Sequence, residues 1–172
     1  MNTKRIYNFN ENFFETVSSE EQAYVLGLFY SDGYVYSNGK NKRVVFTQIE
    51  DRKELVYLVK KLLCAEQPVR KTIVRNKYRY EIHFCSKKLV SDLCLLNCTQ
   101  NKSLTLQFPN FISDELMPHF IRGLFDGDGC IWNGKRKKAI VKDKTCKSGK
   151  RERIIHNVKF TYTGNVGFVS VL

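Results

Sequence analysis

Apolar residues along this chain follow two rhythms. Ala23–Gly33 and Phe120–Gly129 are nearly continuous apolar runs, with Tyr24 and Leu28, and Phe120 and Leu124, at helical spacing. They predict helices over about 19–33 and about 114–129. Before the first, Ser18-Ser19-Glu20-Glu21-Gln22 offers two capping boxes, Ser18 with Glu21 and Ser19 with Gln22. After Gly33 the period shortens to two. Tyr34–Ser37, a turn at Asn38-Gly39-Lys40 and Lys42–Ile49 predict a hairpin. A helix opened by Glu50 or Asp51 runs on through Cys64, with Leu55, Leu58, Val59 and Leu62 along one face. Val69–Lys77 and Arg79–Cys85 predict a second hairpin, in which Tyr80, Ile82 and Phe84 pack while Arg79, Glu81 and His83 face the other way. Lys87–Leu96 predicts a further helix with Leu89, Val90, Leu93 and Leu96 or Leu95 inward.

The two apolar helices are copies of one another. Gly27-Leu28-Phe29 with Asp32-Gly33 recurs as Gly123-Leu124-Phe125 with Asp128-Gly129, at a constant offset of 96 (123 − 27, 125 − 29, 128 − 32). Such a repeat predicts two related halves, 1–110 and 111–172. Gly27 and Gly123 fall mid-helix, where glycine costs about 1 kcal/mol relative to alanine. Close backbone approach of the two helices is a reason for that cost. Gly33 and Gly129 are expected to end the helices in the left-handed cap. Asp32 and Asp128 then lie at helix C-termini, where the dipole disfavours negative charge. A glycine-faced helix pair brings the two acids together, and hard oxygen ligands of that kind suit Mg²⁺. One Asp-Gly alone would read as a turn opening a strand. Two copies behind matched helices read as a site.

On Gly27-Leu28-Phe29 with Asp32-Gly33, and on Gly123-Leu124-Phe125-Asp126-Gly127-Asp128-Gly129, the chain resembles the LAGLIDADG homing endonucleases, in particular the single-chain dodecapeptide type with two motifs. The second copy is close to the family pattern. The first carries Tyr30 where an acid is usual but keeps the acid at the catalytic position. The resemblance implies an α+β fold: an αββαββα half with a curved antiparallel DNA-binding sheet, followed by a partial second half. It implies Asp32 and Asp128 as catalytic, metal-binding acids, with the backbone carbonyls of Ser31 and Gly127 as further metal ligands. Lys102, in the polar segment between the halves, matches the family's basic residue near the scissile phosphate. The implied activity is Mg²⁺-dependent, site-specific cleavage of double-stranded DNA that mobilises an intron, an intein or the protein's own gene. A non-cleaving DNA-binding remnant and an intron RNA maturase are the alternative functions.

Charge agrees with a polyanionic partner. Lys and Arg number 29 against 17 Asp and Glu, a net +12 with a pI near 9.5. Lys40, Lys42 and Arg43 crowd the first hairpin, and Arg70, Lys71, Arg75, Lys77 and Arg79 the second. Tyr34, Tyr36 and Asn38 share one side of their strand, and Trp132 is the counterpart of Tyr36 (132 − 36 = 96). A two-stranded ribbon of this kind fits a major groove, and these residues are expected to contact DNA. Lys135, Arg136, Lys137 and Lys138 open a run of ten Lys or Arg ending at Arg153, expected to form a long flexible hairpin along phosphates. A strand over Ile154–Thr163 and the start of a helix near Val166 follow. Only 43 residues follow Gly129 (172 − 129), so the second half reads as truncated, with its apolar backing (Ile131, Val158, Phe160) uncovered. Association into a dimer is expected from that surface.

Other chemistries fit less well. Six cysteines contain no C-x-x-C pair, and Cys64, Cys85 and Cys94 sit among apolar residues, which reads as buried free thiols rather than a zinc site. Asp126-Gly-Asp-Gly is no EF-hand loop, because Cys130 takes a ligand position. No phosphate-binding G-x-x-x-x-G-K-[ST] occurs. The N-terminus lacks a signal-peptide core and no apolar run reaches about 18 residues, so an intracellular location is expected.

Overall fold

A computed structural model describes residues 6–39, 41–102, 105–139, 152–162 and 166–170, with side chains described outside 136–139, 152–157 and 166–167. Helix α1 spans Glu20–Asp32 and is closed by the second of the two capping boxes. Ser19 Oγ accepts from Gln22 N at 3.2 Å, and Gln22 Oε1 accepts from Ser19 N at 3.1 Å and Ser18 N at 2.9 Å. Helix α4 spans Met117–Asp128, three residues later than its sequence pattern suggests. No side chain caps it, and Pro118 sits in its first turn, where a missing N–H costs nothing.

Both helices end differently from expectation. Gly33 (φ −74°, ψ 144°) and Gly129 (φ −73°, ψ 152°) are extended, not left-handed. The chain passes straight from each helix into a strand, and glycine is needed there for space. A methyl carbon on Gly33 would lie 2.6 Å from Phe29 O, and one on Gly129 would strike Phe125 O.

Strand β1 is Gly33–Asn38, β2 Asn41–Ile49, β3 Arg70–Val74 and β4 Lys77–Phe84, all antiparallel in the order β1-β2-β4-β3. The second hairpin turns at Arg75-Asn76, earlier than the apolar pattern indicates. Both residues have positive φ (49° and 61°), the signature of a two-residue turn that matches strand twist. Helix α2 (Lys53–Leu62) follows a 3₁₀ turn at Glu50–Arg52, and α3 (Lys87–Leu95) is capped by Ser86 Oγ, which accepts from Leu89 N at 3.2 Å. The inward face of the sheet, Val35, Val44, Phe46, Ile82 and Phe84, is buried with Val56, Val59 and Leu63 of the α2 segment and Leu89, Val90 and Leu93 of α3. Each such side chain stabilises the fold by about 1.5–3 kcal/mol through burial. The apolar stripe of α2 is wider than expected: its centre is Val56, Val59 and Leu63, and Leu55, Leu58 and Leu62 form a half-buried edge. Phe13 and Phe14, ahead of the first motif, complete this core.

After α4, β5 (Cys130–Ala139) and β6 (Glu152–Thr161) make a separate two-stranded sheet, and α5 (Val166–Val169) follows. Lys135–Lys138 and Glu152–Arg153 are paired strand, the two arms of the long hairpin expected from the sequence, with Lys135 opposite His156; residues 140–151 lie outside the described residues. Phe168 of α5 is buried against Tyr30, Phe108 and Tyr162. On one face of the small sheet Ile131, Val158 and Phe160 are 58–66% exposed, as their pattern predicts. Cys64 and Cys85 are also exposed, contrary to the buried thiols expected, because Cys64 sits past the end of α2 at φ 49°. Cys98 is buried, Cys94 half-buried, and Cys146 lies outside the described residues. No helix among the described residues is long and apolar enough to cross a membrane.

Candidate functional site

The site is built on contact between the backbones of α1 and α4. A methyl carbon on Gly27 would overlap Phe120 O and lie 2.6 Å from Leu124 N. One on Gly123 would overlap Tyr24 O and lie 3.1 Å from Leu28 N. Phe120 and Leu124 are the repeat equivalents of Tyr24 and Leu28 (24 + 96, 28 + 96), so the contact is reciprocal about a twofold. One turn further on, Gly127 faces Ser31 and Asp32, and a methyl carbon there would lie 2.9 Å from Asp32 Oδ2. The helices therefore run in the same direction and bring their C-terminal ends together.

That arrangement gathers Asp32, Asp128 and the terminal carbonyls at two negative dipole ends. Burial raises the Asp32 carboxyl above the usual carboxylate range; the Gln48 hydrogen bond opposes this, the Asp128 charge adds to it, and Lys102 and Arg52 work against it. Burial likewise raises Asp128, with Lys102 and Arg52 opposing. Lys102, singled out from sequence, is brought to the site from the loop after α3. Its Nζ donates to Ser31 O at 3.1 Å and to Gly33 O. Burial lowers its pKa, while Cys98, Asp128 and Asp32 resist the shift.

Two further residues escaped sequence reasoning. Gln48 Nε2 donates to Asp32 Oδ2 at 2.6 Å. Its signal was a polar residue at an inward strand position after Val44 and Phe46. Arg52 Nη1 donates to Asp126 O at 2.9 Å and Gly127 O at 2.7 Å. Nothing in its local sequence distinguishes it from a solvated helix-start arginine.

The donor set suits a hard divalent cation. Asp32, Asp128 and the neighbouring carbonyls of Ser31 and Gly127 are all hard oxygen donors, the chemistry that Mg²⁺-type ions take. Among the described residues no group of three or more His, Cys, Asp or Glu is placed to hold a metal ion, so the candidate donor set is two carboxylates completed by carbonyls.

The four-stranded sheet sorts the other sequence-predicted residues by face. Cross-strand pairing places Tyr34, Tyr36, Asn38, Arg43, Arg70, Lys77 and Arg79 on the face away from the helices. There the Arg43 guanidinium lies over the Tyr36 ring, 4.9 Å from its centroid, and His83 Nε2 lies 3.1 Å from Glu81 Oε1. Lys42 and Lys71 point to the helix side. Lys42 Nζ donates to Ser37 Oγ, and Lys71 lies 3.7 Å from the Tyr78 ring centroid and 3.6 Å from Glu50. Neither shares the outer face, because each is an odd step from its neighbours there. Arg75 sits on the hairpin turn. In the small sheet Trp132 pairs with Lys159, whereas Lys135 is on the opposite parity with Ile131. Lys40 and the side chains of Arg136, Lys137 and Lys138 lie outside the described residues.

The chain is similar to solved homing endonuclease structures at 12–19% identity. A structure of mesophilic variants of the homing endonuclease I-DmoI is 19% identical, covers 73% of this chain and 83% of its own, and has a TM-score of 0.45. The LAGLIDADG homing endonuclease I-LtrWI bound to target DNA is 12% identical over 86% of this chain and 66% of its own, with a TM-score of 0.43. The meganuclease I-SmaMI bound to uncleaveable DNA is 15% identical over 80% and 67%, with a TM-score of 0.41. No family model and no curated protein matches the sequence.

Proposed function

We propose that this protein is a metal-dependent, site-specific endonuclease of double-stranded DNA that mobilises an intron, an intein or its own gene. The observation that carries the reading is the pairing of Asp32 and Asp128 by the glycine contact of α1 and α4. Two carboxylates at two helix C-termini, Asp32 half-buried and Asp128 exposed, are a poor arrangement for stability and a good one for a cation. Mg²⁺ bound there would supply an activated water and neutralise charge building on the scissile phosphate.

The chain's own residues do the rest. Asp32 and Asp128, with the carbonyls of Ser31 and Gly127, would hold the ion. Gln48 fixes one oxygen of Asp32, so its carboxylate is aimed before substrate arrives. Lys102 and Arg52 bring positive charge to the same place, where it would steady a phosphate in the transition state. The outer face of the four-stranded sheet presents Arg43, Arg70, Lys77 and Arg79 among Tyr34, Tyr36 and Asn38, a surface suited to phosphates and major-groove base edges. Incubating the protein with a plasmid carrying the insertion site, with and without Mg²⁺, tests the proposal. Linear product only with the metal supports it, and an intact plasmid under both conditions refutes it.

A further inference from the structure

The last carbonyls of any helix lack intrahelical donors, and here two cationic side chains supply them. Lys102 Nζ donates to Ser31 O at 3.1 Å and to Gly33 O at the end of α1. Arg52 Nη1 donates to Asp126 O at 2.9 Å and Gly127 O at 2.7 Å at the end of α4. Ser31 and Gly127 are repeat equivalents (31 + 96), yet the cations come from unrelated places, a loop after α3 and the turn before α2. Two different segments thus deliver the same service to matching helix ends. The Asp32 and Asp128 carboxylates remain alongside, and both feel the charges of Lys102 and Arg52.

We propose that Lys102 and Arg52 are internal stand-ins for the metal. In the protein without metal or DNA their charged ends occupy the helix-terminal carbonyls, and a divalent ion binding at Asp32 and Asp128 displaces them toward the phosphate. This rests on the metal-site reading above. Lysine's flexible stem can swing out as a point charge, and arginine's fork can leave two carbonyls together. The exchange keeps the site near neutral in both states. It also makes the ion compete: if a stand-in is seated in nine molecules of ten, apparent metal affinity falls about tenfold.

Isotope-labelled full-length protein, titrated with Mg²⁺ in the absence of DNA and followed by NMR, tests this. The Asp32 and Asp128 carboxyl carbons report occupancy, and the Lys102 ammonium and Arg52 guanidinium signals report the stand-ins. Expected are exchange-protected Lys102 and Arg52 protons that lose protection in step with the carboxyl shifts. Lys102→Met and Arg52→Met should bind Mg²⁺ about tenfold tighter, and should recover with Mg²⁺ the melting temperature they lose without it. Carboxyl shifts with unmoved Lys102 and Arg52 signals overturn the exchange, and this arm needs no variant to fold. Variants that bind no tighter than the parent overturn the competition. Carboxyl signals indifferent to saturating Mg²⁺, with Asp32→Asn and Asp128→Asn leaving metal binding unchanged, remove the metal site itself and the inference with it.

Discussion

Gln48 Nε2 lies 2.6 Å from Asp32 Oδ2, reaching it from the inward side of β2. The residue is only 6% exposed, at a position whose inward neighbours are Val44 and Phe46. An amide in such a place costs stability unless it is bonded. Replacing it by leucine should keep or raise the melting temperature while cutting cleavage or metal affinity about 10–100-fold, the usual consequence of losing a partner that orients a ligand. Equal cleavage by the Gln48→Leu variant would remove Gln48 from the site.

Asp32→Asn and Asp128→Asn should each abolish cleavage and leave DNA binding intact. Each removes an anionic ligand but preserves shape, and the sheet that would hold DNA is untouched. Gel shift beside plasmid cleavage separates the two effects, and cleavage by both variants would discard the acids as catalysts.

The same acids carry a pH signature. Burial raises their folded pKa values above the usual carboxylate range. A raised folded pKa contributes stability below the unfolded value that is lost as pH rises through the folded one. In metal-free buffer the parent protein should therefore lose stability relative to Asp32→Asn as pH climbs from about 4 through the raised carboxyl range, then level off. Melting curves across that window measure it. A gap that widens in the opposite sense contradicts the burial of these charges.

Gly27→Ala and Gly123→Ala should both destabilise, by about 1–3 kcal/mol or more, since the added carbon meets main chain that has nowhere to go. In a free helix the same change would stabilise by about 1 kcal/mol. Denaturant unfolding gives the sign directly.

Arg79 and Lys71 are neighbours on paired strands that point to opposite faces. Arg79→Ala should weaken DNA binding and lower the salt dependence by about one unit of slope. Lys71→Ala, which loses Tyr78 and Glu50 instead, should leave that slope unchanged. Binding measured across a salt series decides between them.

The repeat made the paired helices, their glycine contact and both acids legible, because a costly residue recurring at one offset points to one cause. The hairpins were legible from alternation, and the capping residues narrowed α1 to two starts. What local pattern could not supply was parity and reach. Charge marked Lys42, Lys71 and Lys135 alongside Arg43 and Arg79, but only strand pairing shows which of them share the outer face. Gly33 and Gly129 were read as conformational necessities when the constraint is space beside Phe29 and Phe125. Arg52 bonds residues 74 and 75 positions away. No window of sequence contains such a contact.

Among the described residues, the attendants of the two helix ends are unequal. Gln48 and Lys102 serve the Asp32 end, while Arg52 alone serves the carbonyls before Asp128. A centre assembled from duplicate motifs has thereby lost its mirror: one acid is gripped and shielded, the other less so. A duplex lying across it would meet two different chemistries on its two backbones. Strand scission would then have an order, and a nicked circle would accumulate ahead of the linear form.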